Sequence, residues 1–279
     1  MDDSTYSHGE AEPEVLSSKL TQQYSKISTF MAANKLVING DKTHLVVMGK
    51  KKTKLKRQQV FIDADGYRIQ PSSKEKLLGG IISEDLKWKE HILSSDQSLV
   101  SQLTSRVNGL VKVTSRAAMP TRLMVANGIF MSKLCYLIQL WGGCEIYLVR
   151  SLQVIQNRAA RAVTGQSWWT PTRKLLKDCR WLSVRQLIFY QTAVQTFKIL
   201  DYGKPVYFTQ KMTTAHPLRT RQATGGSIWR GEEEKTGSSF SSRGAQAYNA
   251  LPTDIRNSKT LQNFKYKVKQ WVASNIPVD

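Results

Sequence analysis

Apolar residues in the first third of the chain follow two different spacings. From residue 16 to residue 31 they recur every three to four positions, which predicts an amphipathic helix that begins after Pro13 and ends near Asn34. Short apolar runs then flank Asn39-Gly40 and Asp65-Gly66, dipeptides typical of tight turns, and predict β-hairpins over residues 36–48 and 60–69. Residues 77–82 predict a further short strand.

From Trp88 onward the apolar spacing becomes helical. It predicts one helix from residue 99 to about 119, a second from Pro120 to Trp141, and a third over residues 145–163 that ends before Gly165. Two further helices are expected up to about residue 200, and a last one over residues 261–271. Residues 206–250 are rich in Ser, Thr, Gly and Arg and give weak strand signals at best.

These patterns predict an α+β chain in three parts. Residues 1–95 are expected to combine short antiparallel strands with one helix, residues 96–205 to be mostly α-helical, and residues 206–279 to be a basic, loop-rich region with a terminal helix. The 279 residues are 41% hydrophobic, which is typical of a globular protein rather than a disordered one.

The formal net charge of +20 is distributed unevenly along the chain. Five of the 21 acids lie within the first 14 residues, where there is no Lys or Arg. An excess of clustered positive charge predicts a polyanionic partner, RNA or DNA, although charge also keeps many basic proteins soluble.

The number of cysteines and the hydropathy of the chain indicate the cellular compartment in which the protein is expected. The three cysteines form no CxxC pair, which disfavours both a disulfide framework and a zinc knuckle and favours a reducing, intracellular location in the nucleus or cytoplasm. Acids follow Met1 directly, so no secretory signal is predicted. The most apolar stretch, residues 123–141, is interrupted by polar residues and predicts a buried helix; neither a membrane nor a small-molecule cofactor is expected as a partner.

Two candidate sites can be derived from the residues alone. Asp2 and Asp3 are adjacent carboxylates of the kind that bind Mg²⁺, although an acidic terminal tail would have the same sequence. On the helix predicted over residues 145–163, Arg150, Arg158 and Arg161 fall in one narrow sector opposite the apolar face. Arginines in that arrangement can bind phosphates, or they can form an ordinary solvated face.

Two other segments have open interpretations. The basic loop with Lys50, Lys51, Lys52 and Arg57 could contact a nucleic-acid backbone, serve as a nuclear import signal, or be only a loop. Trp168-Trp169 could stack on bases, but we expect the pair to pack between helices.

The order of several motifs resembles reverse transcriptases of LINE-type, jockey-like non-LTR retrotransposons. After Asp2-Asp3 come a helix, a segment with Asn39 and Lys42-Thr43, and Leu77-Leu78-Gly79-Gly80-Ile81-Ile82, in the order of that family's C, D and E motifs. Gln156-Asn157-Arg158-Ala159-Ala160-Arg161 is similar to a downstream stretch of jockey-like elements. The resemblance implies that residues 1–95 are a partial palm and that residues 96–205 are a thumb.

The resemblance also implies roles for individual residues. Asp2 and Asp3 would be catalytic and hold Mg²⁺, and Lys42 would lie near the leaving pyrophosphate, although it could simply be a turn lysine. Gly79 and Gly80 would form the primer grip, or else a simple β-bulge.

The family's polymerase site also needs an aspartate and fingers upstream of the Asp-Asp motif. Because neither is found in these residues, we expect a fragment of an RNA-directed DNA polymerase that binds template and primer without polymerising alone. A host-retained binding or interaction scaffold is the alternative, and a start upstream of Met1 would restore the enzyme.

Overall fold

The chain folds into two units, Met1–His91 and Ile92–Asp279. The computed structural model describes residues 4–49, 57–64, 66–213, 229–230 and 239–278. Helices dominate these residues, with three two-stranded antiparallel sheets among them, so the predicted α+β class is confirmed. None of the helices in the described ranges is long and apolar enough to cross a membrane.

The N-terminal unit is built on helix α1, Pro13–Ala33, which packs against a β-hairpin. The hairpin consists of β1, Ile62–Ala64, and β2, Tyr67–Ile69, with Ile62 opposite Ile69 as the turn chemistry predicts. Apolar side chains from both elements and from the intervening segment form a small core. Its buried members are Tyr24, Leu45, Val60, Ile62, Ala64 and Ile69.

The hairpin predicted over residues 36–48 is wrong. This segment is irregular, with one 3₁₀ turn at Gly40–Lys42 and a single parallel bridge between Leu45 and Pro71. Its apolar residues do not pair with each other, because Leu45 is buried in the core and Ile38 and Val47 pack against it. A Cβ at Gly40 would lie 2.5 Å from the hydroxyl oxygen of Tyr67, so a side chain there would require the Tyr67 ring to move.

The single strand predicted over residues 77–82 is wrong, because these residues span the turn of a hairpin and most of its second strand. Strands β3, Lys74–Leu77, and β4, Gly80–Ser83, pair around Leu78 and Gly79. Both turn residues have positive φ, +47° and +77°, which a two-residue turn between twisted strands requires. Gly79 and Gly80 therefore end a turn and begin a strand, and they form no bulge.

The second unit is an array of helices. It contains two short strands, β5 (Met212–Thr213) and β6 (Trp229–Arg230), and the following helices: α2 Leu99–Val113, α3 Met119–Ala126, α4 Ser132–Cys135, α5 Ile138–Trp141, α6 Ile146–Thr164, α7 Thr172–Cys179, α8 Val184–Tyr202, α9 Val206–Lys211, α10 Phe240–Asn249, α11 Thr253–Arg256 and α12 Leu261–Asn275. Helices α2, α3 and α7 pack on α6, and α10 and α12 pack on α8.

The continuous helix predicted from Pro120 to Trp141 is wrong. A π-helical segment, Asn127–Met131, follows α3, and Leu137 adopts a left-handed conformation (φ +56°) between α4 and α5. Side chains satisfy the polar groups at the breaks: Trp141 Nε1 donates to the carbonyl of Tyr136 at 3.0 Å, and Asn127 Oδ1 accepts from Trp181 Nε1 at 2.8 Å. These partners are distant or aromatic, so residue periodicity gives no sign of them.

Residues 206–250 contain more helix than their composition suggests. Helix α10 begins at an N-cap, Ser239, whose hydroxyl accepts from the backbone N–H of Ser242 at 3.2 Å. Gly244 allows α10 to approach α8, because a Cβ there would lie 2.6 Å from Thr196 Oγ1. The small residues that indicated loops in the sequence therefore instead cap helix α10 and allow it to pack closely on α8.

Candidate nucleic-acid interface

Acidic residues are nearly absent from the first half of the helical unit. Residues 97–200 contain 14 Lys and Arg but only two acids, Glu145 and Asp178. Glu145 is the N-cap of α6, and Asp178 accepts a hydrogen bond from the Gln166 side chain. Most of the positive charge in this region therefore has no carboxylate neighbour along the sequence, and its mutual repulsion would be relieved by an anionic ligand.

Helix α6 separates apolar from basic residues as predicted. Leu148, Leu152, Ile155, Ala159 and Val163 are all buried against neighbouring helices. The helix ends at Gly165, whose φ of +69° is the left-handed conformation that favours glycine at this position. The opposite side of the helix is consequently held toward solvent.

The three predicted arginines lie on that solvent side. Arg150 and Arg158 are exposed and Arg161 is half-buried, and none of the three pairs with a carboxylate among the described residues. Arg158 Nη2 donates to Asn108 Oδ1 at 2.8 Å, and Arg161 Nη2 donates to the carbonyl of Trp168 at 3.0 Å. Both arginines are thereby oriented by one hydrogen bond each, and Arg150 is exposed on the same helix.

Helix α7 adds a second basic surface, which was not predicted from the sequence. Leu175, Leu176 and Cys179 are buried, whereas the cationic side chains of the helix and its C-cap are exposed. These cations are Arg173, Lys174, Lys177 and Arg180. Positions 173, 177 and 180 follow i, i+4, i+7 spacing, the sequence signal that would have revealed them. We call Arg150, Arg158 and Arg161 of α6 together with these four cations the basic face.

Trp168 and Trp169 do not pack between helices as expected. Their exposed fractions are 67% and 88%, because they occupy a short turn between α6 and α7 rather than a helix. The guanidinium carbon of Arg161 lies 4.7 Å from the centre of the Trp168 ring, a cation–π distance. The turn therefore places two aromatic side chains beside the basic face.

Other predicted nucleic-acid contacts lie in the N-terminal unit. Lys42 is exposed in the 3₁₀ turn, Gly79 is half-buried in its hairpin turn, and Gly80 is buried at the start of β4. Their roles stay predictions. Arg57 is 6% exposed and donates to the backbone carbonyls of Gly49 and Glu84. A direct phosphate contact by Arg57 would require these contacts to open.

The predicted catalytic and metal-binding carboxylates, Asp2 and Asp3, lie outside the described residues, as do Lys50, Lys51 and Lys52. Within the described ranges no group of three His, Cys, Asp or Glu side chains could hold a metal ion.

The cysteines are poor candidates for nucleophilic chemistry. Burial raises the pKa of the Cys135 thiol to about 11 and that of the Cys144 thiol to about 12. Burial, with a smaller contribution from Asp178, likewise raises the pKa of Cys179 to about 12. All three thiols are therefore protonated near neutral pH, whereas the reactive form of cysteine is the thiolate.

Comparisons with known proteins identify relatives over part of the chain. It is 23% identical over 119 residues to the RNA-directed DNA polymerase from mobile element jockey of Drosophila funebris, a match that covers 43% of this chain and 13% of that protein. It is 26% identical over 116 residues to the probable RNA-directed DNA polymerase from transposon X-element of Drosophila melanogaster, covering 41% and 12%. No family model and no solved structure matches.

Proposed function

Because the chain is related to the reverse transcriptases of LINE-type retrotransposons, we propose that it is a nucleic-acid-binding part of such a polymerase. In this proposal the N-terminal unit corresponds to the C-terminal part of the palm and the helices that follow correspond to the thumb. The chain spans about an eighth of the length of the curated relatives it matches, so we propose polymerase activity for a larger protein that contains it and not for these 279 residues alone.

One observation supports the proposal most directly: the basic face lies within residues 97–200, which contain almost no acids. Helix α6 buries its apolar residues and presents Arg150, Arg158 and Arg161, which have no carboxylate partner within the described part of the chain, and α7 with its C-cap exposes four more cations. Arginine binds phosphate oxygens in pairs, so such a surface suits a backbone of regularly spaced phosphates. Contacts of this kind hold a strand in place and read little of its sequence.

Within the polymerase, this surface would hold the template–primer while the chemistry proceeds elsewhere. Polymerisation by the 279 residues alone is not part of the proposal. The expected ligands are therefore RNA, DNA and their hybrid duplex, bound with little preference for sequence.

The proposal is tested by equilibrium binding. We expect the 279-residue chain to bind labelled RNA strands, DNA strands and hybrid duplexes, with similar affinity for unrelated sequences within each kind of ligand. Affinity should fall steeply as salt rises, because bound phosphates release their counterions. Fluorescence anisotropy between 50 and 200 mM salt measures both properties. Polyglutamate of matched charge is the control; equally tight binding to it would show a general polyanion sink and contradict the proposal.

A further inference from the structure

The turn between α6 and α7 exposes two adjacent tryptophans. Trp168 and Trp169 occupy its central positions, and the backbone N–H of Thr170 donates to the carbonyl of Ser167 at 3.2 Å to close it. Among the tryptophans whose side chains the structure describes, all the others are buried or half-buried. An indole is the largest apolar side chain, so two exposed ones in sequence forgo a large burial and indicate a ligand surface.

Contacts on both sides hold this turn in place. Arg161 donates to the Trp168 carbonyl at 3.0 Å and lies over the Trp168 ring. At the other end, Asn157 Nδ2 donates to Thr172 Oγ1 at 2.9 Å, which ties the first residue of α7 to α6. The indoles are thus presented by a fixed turn. One face of Trp168 is covered by the guanidinium of Arg161, whereas Trp169 is almost entirely open.

Cations lie close to the two tryptophans along the chain, and a charged, flat ligand would suit this combination. Arg173 and Lys174 lie in the first turn of α7, four and five residues after Trp169. The Arg122 guanidinium lies beside Gly165, since a Cβ on that glycine would be 3.7 Å from Arg122 Nη1. The nearest acid along the sequence is Asp178, which accepts from Gln166. Aromatic planes surrounded by positive charge are the two features that bind bases and phosphates of a single strand.

We propose that Trp169, assisted by the open side of Trp168, stacks on an unpaired nucleobase while the neighbouring cations bind the phosphates on either side of it. The inference deepens the proposed nucleic-acid binding and rests on it. It predicts that the chain distinguishes single strands and overhangs from blunt duplexes, because paired bases are already stacked and their faces are inaccessible.

Substitutions at Trp169 separate stacking from simple apolar contact. Trp169→Ala and Trp169→Leu should both weaken binding to a single-stranded 12-mer by roughly 5- to 150-fold, the loss expected for one stacked base. Trp169→Phe should retain most of the affinity, because it keeps an aromatic face. Binding to a blunt duplex should change less than about twofold in all three. In the parent chain, a single strand should also quench tryptophan fluorescence, and Trp169→Phe should reduce that quenching.

Tyr202→Ala is the matched control, since Tyr202 is also exposed, at 60%, but stands next to Asp201. It should leave both affinities unchanged. Equal losses on strand and duplex, or equal effects of Leu and Phe at position 169, would overturn the stacking proposal while leaving backbone binding by the basic face intact. If the parent chain binds neither strand nor duplex, both the stacking proposal and the proposed function are wrong.

Discussion

At the residue scale, three amides on α6 hold the segments around α7. Gln153 Oε1 accepts from the backbone N–H of Val184 at 2.8 Å, and Gln153 Nε2 donates to both Gln156 Oε1 and Asn157 Oδ1. Gln156 Nε2 donates to the carbonyl of Leu182 at 2.9 Å. Gln156 and Asn157 belong to the stretch that resembles jockey-like elements, so part of that motif stabilises the array and leaves the arginines beside it to face solvent.

Replacing Gln153 by Met should destabilise the helical unit by about 1–3 kcal/mol, because the Val184 N–H and the side-chain oxygen Oε1 of Gln156 both lose their hydrogen-bond partner while the side-chain volume is kept. Urea unfolding followed by far-UV circular dichroism measures the change. Val154→Thr, on the same helix but 62% exposed, should stay within about 0.5 kcal/mol. Similar small effects of both substitutions would show that the amide network contributes little.

The arginine sector on α6 was predictable from periodicity, because a helix repeats every 3.6 residues whatever surrounds it. The exposure of Trp168 and Trp169 was not. Large aromatic residues are usually buried, and only the turn that Arg161 and Gly165 hold decides that these two point outward. Sequence spacing does not contain that information.

At the element scale, helix α1 covers the free edge of β1 with two hydroxyls. Ser17 Oγ accepts from the backbone N–H of Phe61 at 3.2 Å, and Thr21 Oγ1 accepts from that of Asp63 at 3.1 Å. Positions 17 and 21 are about one helical turn apart, and positions 61 and 63 are two residues apart on a strand. Both pairs therefore repeat over a similar distance, which lets the two hydroxyls reach the two N–H groups. This edge is therefore satisfied within the N-terminal unit, which reduces its tendency to pair with another strand.

Ser17→Ala should open this edge locally, since it leaves the Phe61 N–H without an acceptor at a cost of about 1 kcal/mol. Amide hydrogen exchange in peptides from residues 57–64 should accelerate roughly fivefold. Ser18→Ala, at an exposed neighbouring position, is the control and should change nothing. Unchanged exchange in Ser17→Ala would mean that water replaces the hydroxyl without loss.

Elements with local signals were predictable, and those that depend on distant partners were not. The hairpin around Asp65-Gly66 and the helix ending at Gly165 follow from turn and cap chemistry. The conformation of residues 36–48 instead depends on the burial of Leu45 in the core of the N-terminal unit. In the interrupted helix before Trp141, the side chain of Asn127 likewise accepts a hydrogen bond from Trp181, 54 residues later.

At the scale of the whole molecule, the two units should differ in stability. The N-terminal unit has a small core and exposes large apolar side chains, among them Phe30 at 64%, Val37 at 95% and Leu78 at 70%. The helical unit fully buries Trp141, Phe130 and Phe264. We expect amides of residues 36–82 to exchange far faster than those of residues 123–200 in native-state hydrogen exchange. Equal protection would show that the N-terminal unit is stable by itself and would disfavour its interpretation as part of a larger palm.

The central claim is that the arginines of α6 bind nucleic-acid phosphates. Its most direct test is the salt dependence of duplex DNA binding by the chain with Arg150, Arg158 and Arg161 all replaced by Gln. Each phosphate contact contributes about 0.9 to the slope of log affinity against log salt, so the triple variant should lower the slope by about two to three units. Replacing Lys259, Lys265 and Lys269, on and next to α12, by Gln removes the same charge and should lower it by less than about one unit. An unchanged slope in a folded arginine variant, or an equal fall in the lysine variant, would contradict the claim.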